Sequence, residues 1–185
     1  LIKIHNKIFE GKNTNIIEFG TDRGGTLTTI SNFTKPNTNI FAVDSFGYHA
    51  EEIKKNVSKF DSHYLGKYKP FTKATRFKDF DHKKMTNDLN EILIKKNCKL
   101  ETIVGYFPNL DENKLKKISN IKYSFVHLDF DLYKPTIDCF TFIKDRLEKN
   151  AIILVDDYNF INQEGVKKAV TDLKIDLSKG IQTQS

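Results

Sequence analysis

The sequence contains no tryptophan, one methionine and only two cysteines among its 185 residues. Cys98 and Cys139 form no CxxC motif and have no metal-type spacing, so we expect reduced, half-buried thiols. No apolar run approaches the roughly 20 residues that a membrane-spanning helix needs, and no signal-type segment opens the chain. These absences predict a cytoplasmic protein without disulfide or membrane chemistry.

Arginine is also scarce. The net charge of +6 rests mainly on lysines spread along the chain, and the arginines are Arg23, Arg76 and Arg146. Arginine is the residue that contacts base edges and phosphates in a bidentate manner, so a lysine-rich surface without an arginine cluster argues against specific nucleic-acid recognition.

Apolar segments rich in β-branched and aromatic residues alternate with segments of helical periodicity. Strands are predicted at residues 15–20, 39–46, 100–107, 123–132 and 151–158. Helices are predicted at residues 26–33, 84–96 and 135–149, with Asn150 as the stop of the last helix. The alternation predicts one α/β domain over residues 1–185, with a Rossmann-like, doubly wound and mostly parallel sheet.

Residues 47–81 interrupt this alternation with a long, lysine-rich and aromatic segment. Its aromatic residues are Phe60, Tyr64, Tyr68, Phe71, Phe77 and Phe80. A long insertion that follows a strand on the ligand side of a sheet is often a lid or a substrate-recognition element. A pair of surface helices that caps the core is an equally good interpretation.

Two of the predicted strands end in pairs of aspartates. Asp129 and Asp131 end one strand, and Asp156 and Asp157 end another. On a continuous strand Asp129 and Asp131 would point the same way, whereas Asp157 can join Asp156 only if it lies in the turn that leaves the strand. Ligands of open α/β sheets bind at the carboxyl ends of the strands, and magnesium prefers carboxylate oxygens. The pattern therefore predicts a divalent metal site.

The first predicted strand runs into a glycine-containing loop at residues 18–26, EFGTDRGGT. Its spacing is not GxGxxG, and Glu18 would repel a pyrophosphate, which together argue against a dinucleotide. Glu18 suits a ligand with a positive charge, such as a sulfonium. Asp44 ends the second predicted strand, where an acidic residue commonly accepts hydrogen bonds from ribose hydroxyls. S-Adenosylmethionine fits both features.

Three segments together resemble a known family. The loop at residues 18–26, the block HLDFDLYKPT at residues 127–136 and the block VDDY at residues 155–158 are similar to the macrocin O-methyltransferase (TylF-like) family of class I S-adenosylmethionine-dependent enzymes. The likeness covers residues 14–173. We expect the class I methyltransferase fold and a cofactor site formed by Glu18, Gly20, Thr21, Gly24, Gly25, Thr26, Asp44, Ser45, Gly105 and Asp129.

The resemblance also implies catalytic roles. Asp129, Asp156 and Asp157 would bind Mg²⁺, and Asp131 would take the proton from a sugar hydroxyl. An aspartate with an ordinary pKa of about 3.9 is a poor base for an alcohol, so this role depends on assistance by the metal. His127 is an alternative base, although its position deeper in the strand favours a satisfied core histidine.

Three functions remain open from the sequence. The first is O-methylation of a sugar or sugar-containing small molecule; the second is methylation of a nucleic acid, suggested by the basic charge. The third is a non-catalytic, cofactor-binding interaction domain. The resemblance also predicts a final antiparallel strand pair, of which residues 181–184 can form only the beginning. Truncation of the pair is one explanation; a naturally short form, whose less covered sheet edge favours a homo-oligomer or a loss of activity, is the other.

Overall fold

A computed structural model gives the structure of residues 1–47, 55–61, 77–159 and 164–175. These residues contain one five-stranded sheet, formed by β1 (Thr14–Phe19), β2 (Thr38–Asp44), β3 (Lys99–Val104), β4 (Tyr123–Leu128) and β5 (Leu147–Val155). All neighbouring strands are parallel, and their order is β3-β2-β1-β4-β5. The predicted doubly wound parallel sheet is confirmed. The strand order changes direction between β1 and β4, and sheets of this type form a ligand-binding crevice at such a point.

Six α-helices accompany the sheet within the described residues. They are α1 (Ile2–Ile8), α2 (Gly25–Phe33), α3 (His82–Leu93), α4 (Glu112–Ser119), α5 (Tyr133–Ile143) and α6 (Glu164–Asp172). The Asp81 carboxylate caps α3 and the Asp111 carboxylate caps α4, each by accepting hydrogen bonds from amides of the first turn. Short 3₁₀ turns extend α3 and α5. No helix of this set is long and apolar enough to cross a membrane.

Both faces of the sheet are buried. Ile16 and Ile17 are neighbours on β1, and they pack into two different apolar clusters because successive strand side chains point to opposite faces. Helices α4, α5 and α6 cover the Ile17 face, and α2 and α3 cover the Ile16 face. Cys98 and Cys139 are free thiols, as predicted, but they are buried rather than half-buried. They lie in the clusters on opposite faces of the sheet.

The connection between α5 and β5 differs from the prediction. The predicted helix at residues 135–149 ends with the turn Lys144–Arg146, and β5 begins at Leu147. Asn150 is therefore not a helix stop; it lies inside β5 with φ of 68°. The pairing of β4 with β5 shifts register beside it, which identifies a bulge. Residues 147–150, LEKN, are polar enough to resemble the last turn of a helix, which explains the error.

The fourth strand ends earlier than predicted, at Leu128. Asp129 and Asp131 consequently lie in the loop after β4, and Asp131 has φ of 60°. The expectation that strand alternation directs their side chains to one side was therefore wrong. Helices α1, α4 and α6 were not predicted, since each is short and only partly apolar.

The described parts of the insertion at residues 47–81 are Gly47, residues 55–61 and residues 77–81. The aromatic residues Tyr64, Tyr68 and Phe71 of this insertion lie outside the described residues. Residues 181–184, proposed as the start of a strand, also lie outside them. The interpretations of these segments stay predictions.

We expect Gly20→Ala to lower the free energy of unfolding by about 2–4 kcal/mol. A Cβ atom at Gly20 would lie 1.8 Å from the Asp129 carbonyl oxygen, and the residue has φ of +84°. Gly25→Ala is the matched control, because a Cβ there meets no atom within 4 Å. Alanine is also the better helix former, so the control should change stability by less than about 1 kcal/mol. Urea denaturation measures both variants, and equal losses would contradict the close contact.

Candidate functional site

The carboxyl ends of β1, β2 and β4 are joined by backbone hydrogen bonds that continue one residue past the strands. The Gly20 amide donates to the Val43 carbonyl, and the Asp129 amide donates to the Phe19 carbonyl, each at 2.9 Å. Because Gly20 has no side chain, the Asp129 backbone approaches it closely. The glycine loop and the loop after β4 are therefore in direct contact.

Asp44 organises the glycine loop. One of its carboxylate oxygens accepts a hydrogen bond from the Asp22 amide at 2.8 Å, and the other accepts from the Phe46 amide at 2.6 Å. The loop then enters α2 through Gly24, which has φ of 83°. The Met85 sulfur lies 2.4 Å from the position that a Gly24 Cβ would occupy. The predicted ribose acceptor thus holds the shape of the loop.

The other predicted cofactor residues lie at the same edge of the sheet. Ser45 is buried after β2, and the Gly105 amide after β3 donates to the Asp44 carbonyl at 2.8 Å. A Cβ at Gly105 would lie 2.5 Å from a methyl carbon of Leu110, so a larger residue there would displace that side chain. Thr26 is exposed at the start of α2.

Two buried polar atoms beside the glycine loop have unused hydrogen-bonding capacity. Glu18 Oε2 and Thr21 Oγ1 have no partner with ordinary hydrogen-bond geometry within the described part of the chain, although the Thr21 hydroxyl lies near enough to the Glu18 carboxylate to reduce the rise in its pKa that burial causes. Glu18 is 1% exposed and Thr21 is 4% exposed. Buried polar groups are normally paired, so a ligand with polar groups would satisfy these atoms. This observation fits a small polar cofactor at the loop.

The four predicted aspartates meet beside this loop in two overlapping groups. Oxygens of Asp129, Asp131 and Asp157 lie within 4.8 Å of one another, and so do ligand atoms of His127, Asp129 and Asp156. Asp156 and Asp157 thus join Asp129 in different groups. Asp157 has φ of 60°, and its backbone amide donates a hydrogen bond to the Asp156 carboxylate at 3.0 Å. Asp157 therefore lies in the turn that leaves the strand, as the sequence required for convergence.

Crowding changes the acidity of two of these carboxyl groups. Burial, together with the charge of Asp131, raises the pKa of Asp129 to about 7. Burial and a hydrogen bond with Asp131 raise the pKa of Asp157 to about 8. The three oxygen-bearing side chains of the first group fit a hard cation such as Mg²⁺, which would relieve the repulsion between the carboxylates.

His127 is buried and hydrogen-bonded, as expected of a core histidine. Its Nδ1 lies 2.9 Å from Glu18 Oε1, and both side chains are 1% exposed. Burial alone would lower the pKa of His127, but the hydrogen bond and charge of Glu18, with the nearby Asp129 and Asp156, raise it. The position of His127 beside these carboxylates was not predicted.

Asp61 is a further residue at the site that the sequence analysis missed, since an isolated aspartate in an insertion matches no motif. It is 2% exposed, and its carboxylate accepts hydrogen bonds from the Ser58 amide and hydroxyl and from the Tyr133 amide, at 2.7, 2.7 and 2.8 Å. A Cβ at Gly165 would lie 2.0 Å from Asp61 Oδ1. Asp61 therefore joins residues 55–61 to the start of α5 and to α6.

The end of the insertion packs against the opposite side of the site. The Phe46 ring stacks on His82, with centroids 5.1 Å apart, and lies 5.8 Å from Phe80. The Arg23 guanidinium of the glycine loop lies 5.8 Å from the centroid of Phe80. The described parts of the insertion thus contact both the glycine loop and the loop that carries Asp131.

Comparison with known proteins identifies the fold. No protein-family model and no curated protein sequence matches the chain. The structure of CalS11, a calicheamicin methyltransferase, is similar to this one over 92% of this chain and 67% of the CalS11 chain, with a TM-score of 0.62 and 19% sequence identity. The O-methyltransferase NovP matches 93% of this chain and 67% of its own, with a TM-score of 0.57 and 16% identity.

A third match is a candidate rRNA methylase from Clostridium thermocellum. It matches 98% of this chain and 82% of its own, with a TM-score of 0.52 and 15% identity. At these identities the likeness establishes the fold alone. The chain has the Rossmann-like fold of the class I methyltransferases, as the sequence predicted.

The raised pKa values predict that the metal-free protein loses stability as the pH rises from roughly 4 to about 8. A carboxyl group whose pKa is higher in the folded than in the unfolded protein contributes its full stabilisation below the unfolded pKa. That contribution is lost as the pH rises through the folded pKa. Asp157→Asn should therefore raise the free energy of unfolding at pH 8 by about 1–2 kcal/mol, with allowance for solvent screening.

Thermal unfolding in EDTA at pH 5 and pH 8 measures this effect, with the exposed Asp145→Asn as the control. Millimolar Mg²⁺ should stabilise the wild-type protein at pH 8 and should stabilise Asp157→Asn much less. A wild-type protein with equal stability at both pH values would contradict the crowding.

We expect Asp61→Asn to lower the free energy of unfolding by about 2–3 kcal/mol. The asparagine NH₂ group would face amide or hydroxyl groups that now donate hydrogen bonds to the Asp61 carboxylate, and two donors cannot pair. The variant should also be cleaved faster by protease within residues 55–61. Asp138→Asn is the control, since Asp138 forms a surface ion pair with Lys134 on α5. Its effect should stay below about 1 kcal/mol. Urea denaturation and limited proteolysis test both expectations.

Proposed function

We propose that the protein transfers a methyl group from S-adenosylmethionine to a hydroxyl oxygen of a sugar or sugar-containing small molecule, as a TylF-like O-methyltransferase. The contact between the glycine loop and the aspartate cluster carries this proposal. The Asp129 carbonyl lies against Gly20, so a cofactor on the loop and an acceptor on the aspartates would be neighbours. Methyl transfer requires that the two reacting groups be held together in this way.

In this proposal the cofactor contacts the ten residues named from the sequence: Glu18, Gly20, Thr21, Gly24, Gly25, Thr26, Asp44, Ser45, Gly105 and Asp129. The unused oxygens of Glu18 and Thr21 support it, because polar groups of a ligand would pair with them. A carboxylate oxygen accepts more than one hydrogen bond, so Asp44 can bind ribose hydroxyls while it holds the loop.

Asp129, Asp156 and Asp157 would hold Mg²⁺, and Asp131 would act as the base. Asp129 belongs to both groups of ligand atoms, with Asp156 in one group and Asp157 in the other, so an ion bound at Asp129 would draw these two carboxylates together. Bound Mg²⁺ supplies charge that favours the alkoxide form of an acceptor hydroxyl. Asp131 takes the hydroxyl proton while the acceptor oxygen bonds to the methyl carbon, and the bond between that carbon and the sulfonium sulfur breaks.

Residues 47–81 would recognise the acceptor. This interpretation is supported by their contacts, since Asp61 bonds to Tyr133 beside the aspartates and Phe80 lies near Arg23 of the glycine loop. It favours the role of a substrate-recognition element over that of a simple cap on the core.

The descriptions of two proteins with this fold support oxygen as the methylated atom. NovP is described as an O-methyltransferase, and CalS11 is described as a TDP-rhamnose 3'-O-methyltransferase. The candidate rRNA methylase with the same fold supports methylation of a nucleic acid as the second candidate, together with the net charge of +6. In the absence of metal, the aspartate cluster disfavours that second candidate, because its carboxylates repel a polyanion.

The test compares three variants by calorimetry and by methyl transfer. S-Adenosylhomocysteine should bind the wild-type protein, and NAD should not. Asp131→Asn should reduce turnover on a sugar acceptor by orders of magnitude with an unchanged Kd for S-adenosylhomocysteine. Asparagine tolerates the left-handed backbone at this position. Asp44→Ala should instead weaken S-adenosylhomocysteine binding by about tenfold or more, a loss of roughly 1.4 kcal/mol.

The exposed Asp145→Asn serves as the control for both measurements and should match the wild-type protein. Failure of S-adenosylhomocysteine to bind would overturn the proposal. Binding of the cofactor with full activity in Asp131→Asn would overturn only the assignment of the base. A steep loss of RNA binding with added salt, together with RNA methylation, would favour the second candidate.

A further inference from the structure

A lysine-lined groove lies outside the predicted cofactor and metal residues. Its volume is about 330 Å³, at the lower end of the range for small-molecule sites. The groove is formed by residues 59–60 of the insertion and by one face of α6. The residues that line it are Lys59, Phe60, Glu164, Lys167, Lys168 and Thr171.

The groove borders both loops that carry the candidate catalytic aspartates. The Phe60 ring lies 4.8 Å from the ring of Tyr133, two residues after Asp131. The Lys167 ammonium lies 5.9 Å from the ring centroid of Tyr158, the residue after Asp157. The groove is thus adjacent to Tyr133 and Tyr158, which closely follow Asp131 and Asp157 in the chain.

The groove carries an excess of positive charge. The ammonium groups of Lys59 and Lys168 lie 5.2 and 5.1 Å from the centroid of the same Phe60 ring. Lys168 pairs with Asp172, which also accepts a hydrogen bond from the Tyr133 hydroxyl. Across the described residues, Lys59 and Lys167 have no carboxylate partner.

Glu164 is the one carboxylate among the lining residues, so Glu164 and the Asp172 partner of Lys168 together offer two carboxylates against three ammonium groups. Like charges held near one aromatic ring repel each other, and a bound anion would relieve that repulsion. Lysine ammonium groups bind phosphate as point charges, and the Phe60 ring gives the groove an apolar wall.

We propose that the groove binds a phosphate or diphosphate group of the acceptor, so that the methylated sugar is one that carries such a group. This inference rests on the proposed function, since the acceptor hydroxyl must reach Asp131. The wall formed by residues 59–60 is fixed in place by the bonds of Asp61 to α5 and by its contact with α6. A sugar joined to a nucleoside diphosphate and one joined to a lipid diphosphate share this chemistry.

The experiment measures binding of inorganic pyrophosphate, dTDP and UDP by calorimetry at low ionic strength. EDTA is present, so that the probes cannot bind through a divalent cation at the aspartates. The test variant is the double substitution Lys59→Gln and Lys167→Gln. Lys95→Gln is the matched control, because Lys95 is an exposed lysine in the 3₁₀ turn after α3.

We expect the double substitution to raise the Kd of pyrophosphate at least tenfold and the control to leave it unchanged. Tighter binding of dTDP or UDP than of pyrophosphate supports a nucleotide-linked acceptor. Equal binding of all three supports recognition of the diphosphate alone, as in a lipid-linked acceptor. Circular dichroism and the Kd of S-adenosylhomocysteine show whether each variant is folded.

The proposal is overturned if none of the probes binds at millimolar concentration, or if the double variant binds them as the wild-type protein does. An equal loss in Lys95→Gln also overturns it, because binding would then reflect general surface charge. S-Adenosylhomocysteine binding without diphosphate binding would reject the groove and leave the proposed function intact. If the wild-type protein does not bind S-adenosylhomocysteine, the proposed function is rejected instead.

Discussion

Repulsion among crowded carboxylates is the constraint on which the rest of this site depends. Asp129, Asp131 and Asp157 hold oxygens within 4.8 Å of one another, and ionised carboxylates at that separation oppose folding. The backbone holds them there, since the Asp129 amide bonds to the Phe19 carbonyl and the Asp156 amide bonds to the Leu128 carbonyl, each at 2.9 Å. The hydrogen-bonding pattern of the sheet thus sets the position of the acids.

The free energy that offsets the repulsion between these carboxylates comes from elsewhere in the domain. The sheet is buried on both faces by separate apolar clusters, so β1 and β4 are held in place by contacts that do not involve the acids. Glu18 and His127 add a buried pair directly beneath the site, where the charge of Glu18 favours a protonated His127. The rigid sheet therefore stabilises an arrangement of charges that a loop could not maintain by itself.

Much of the fold follows from local pattern, but the details of the site do not. The five apolar segments were sufficient to predict the strands and their parallel arrangement, because both faces of such a sheet are buried. Asp131 and Asp157 converge through left-handed turns that alternation cannot predict. Asp61 acts through contacts with distant α5 and α6, and β5 begins with polar residues that resemble a helix end. These features depend on tertiary contacts, which carry no periodic signal.

The contact between Gly20 and the Asp129 backbone has a consequence for how this fold can diversify. A methyl group at Gly20 would collide with Asp129, so a mutation in one loop requires a compensating shift in the other. The groove lysines lie outside the sheet, Lys59 within residues 55–61 and Lys167 and Lys168 on α6. Substitutions there can change ligand preference while the glycine and aspartate loops stay as they are. Selection can thus act on the two halves of the site at different rates.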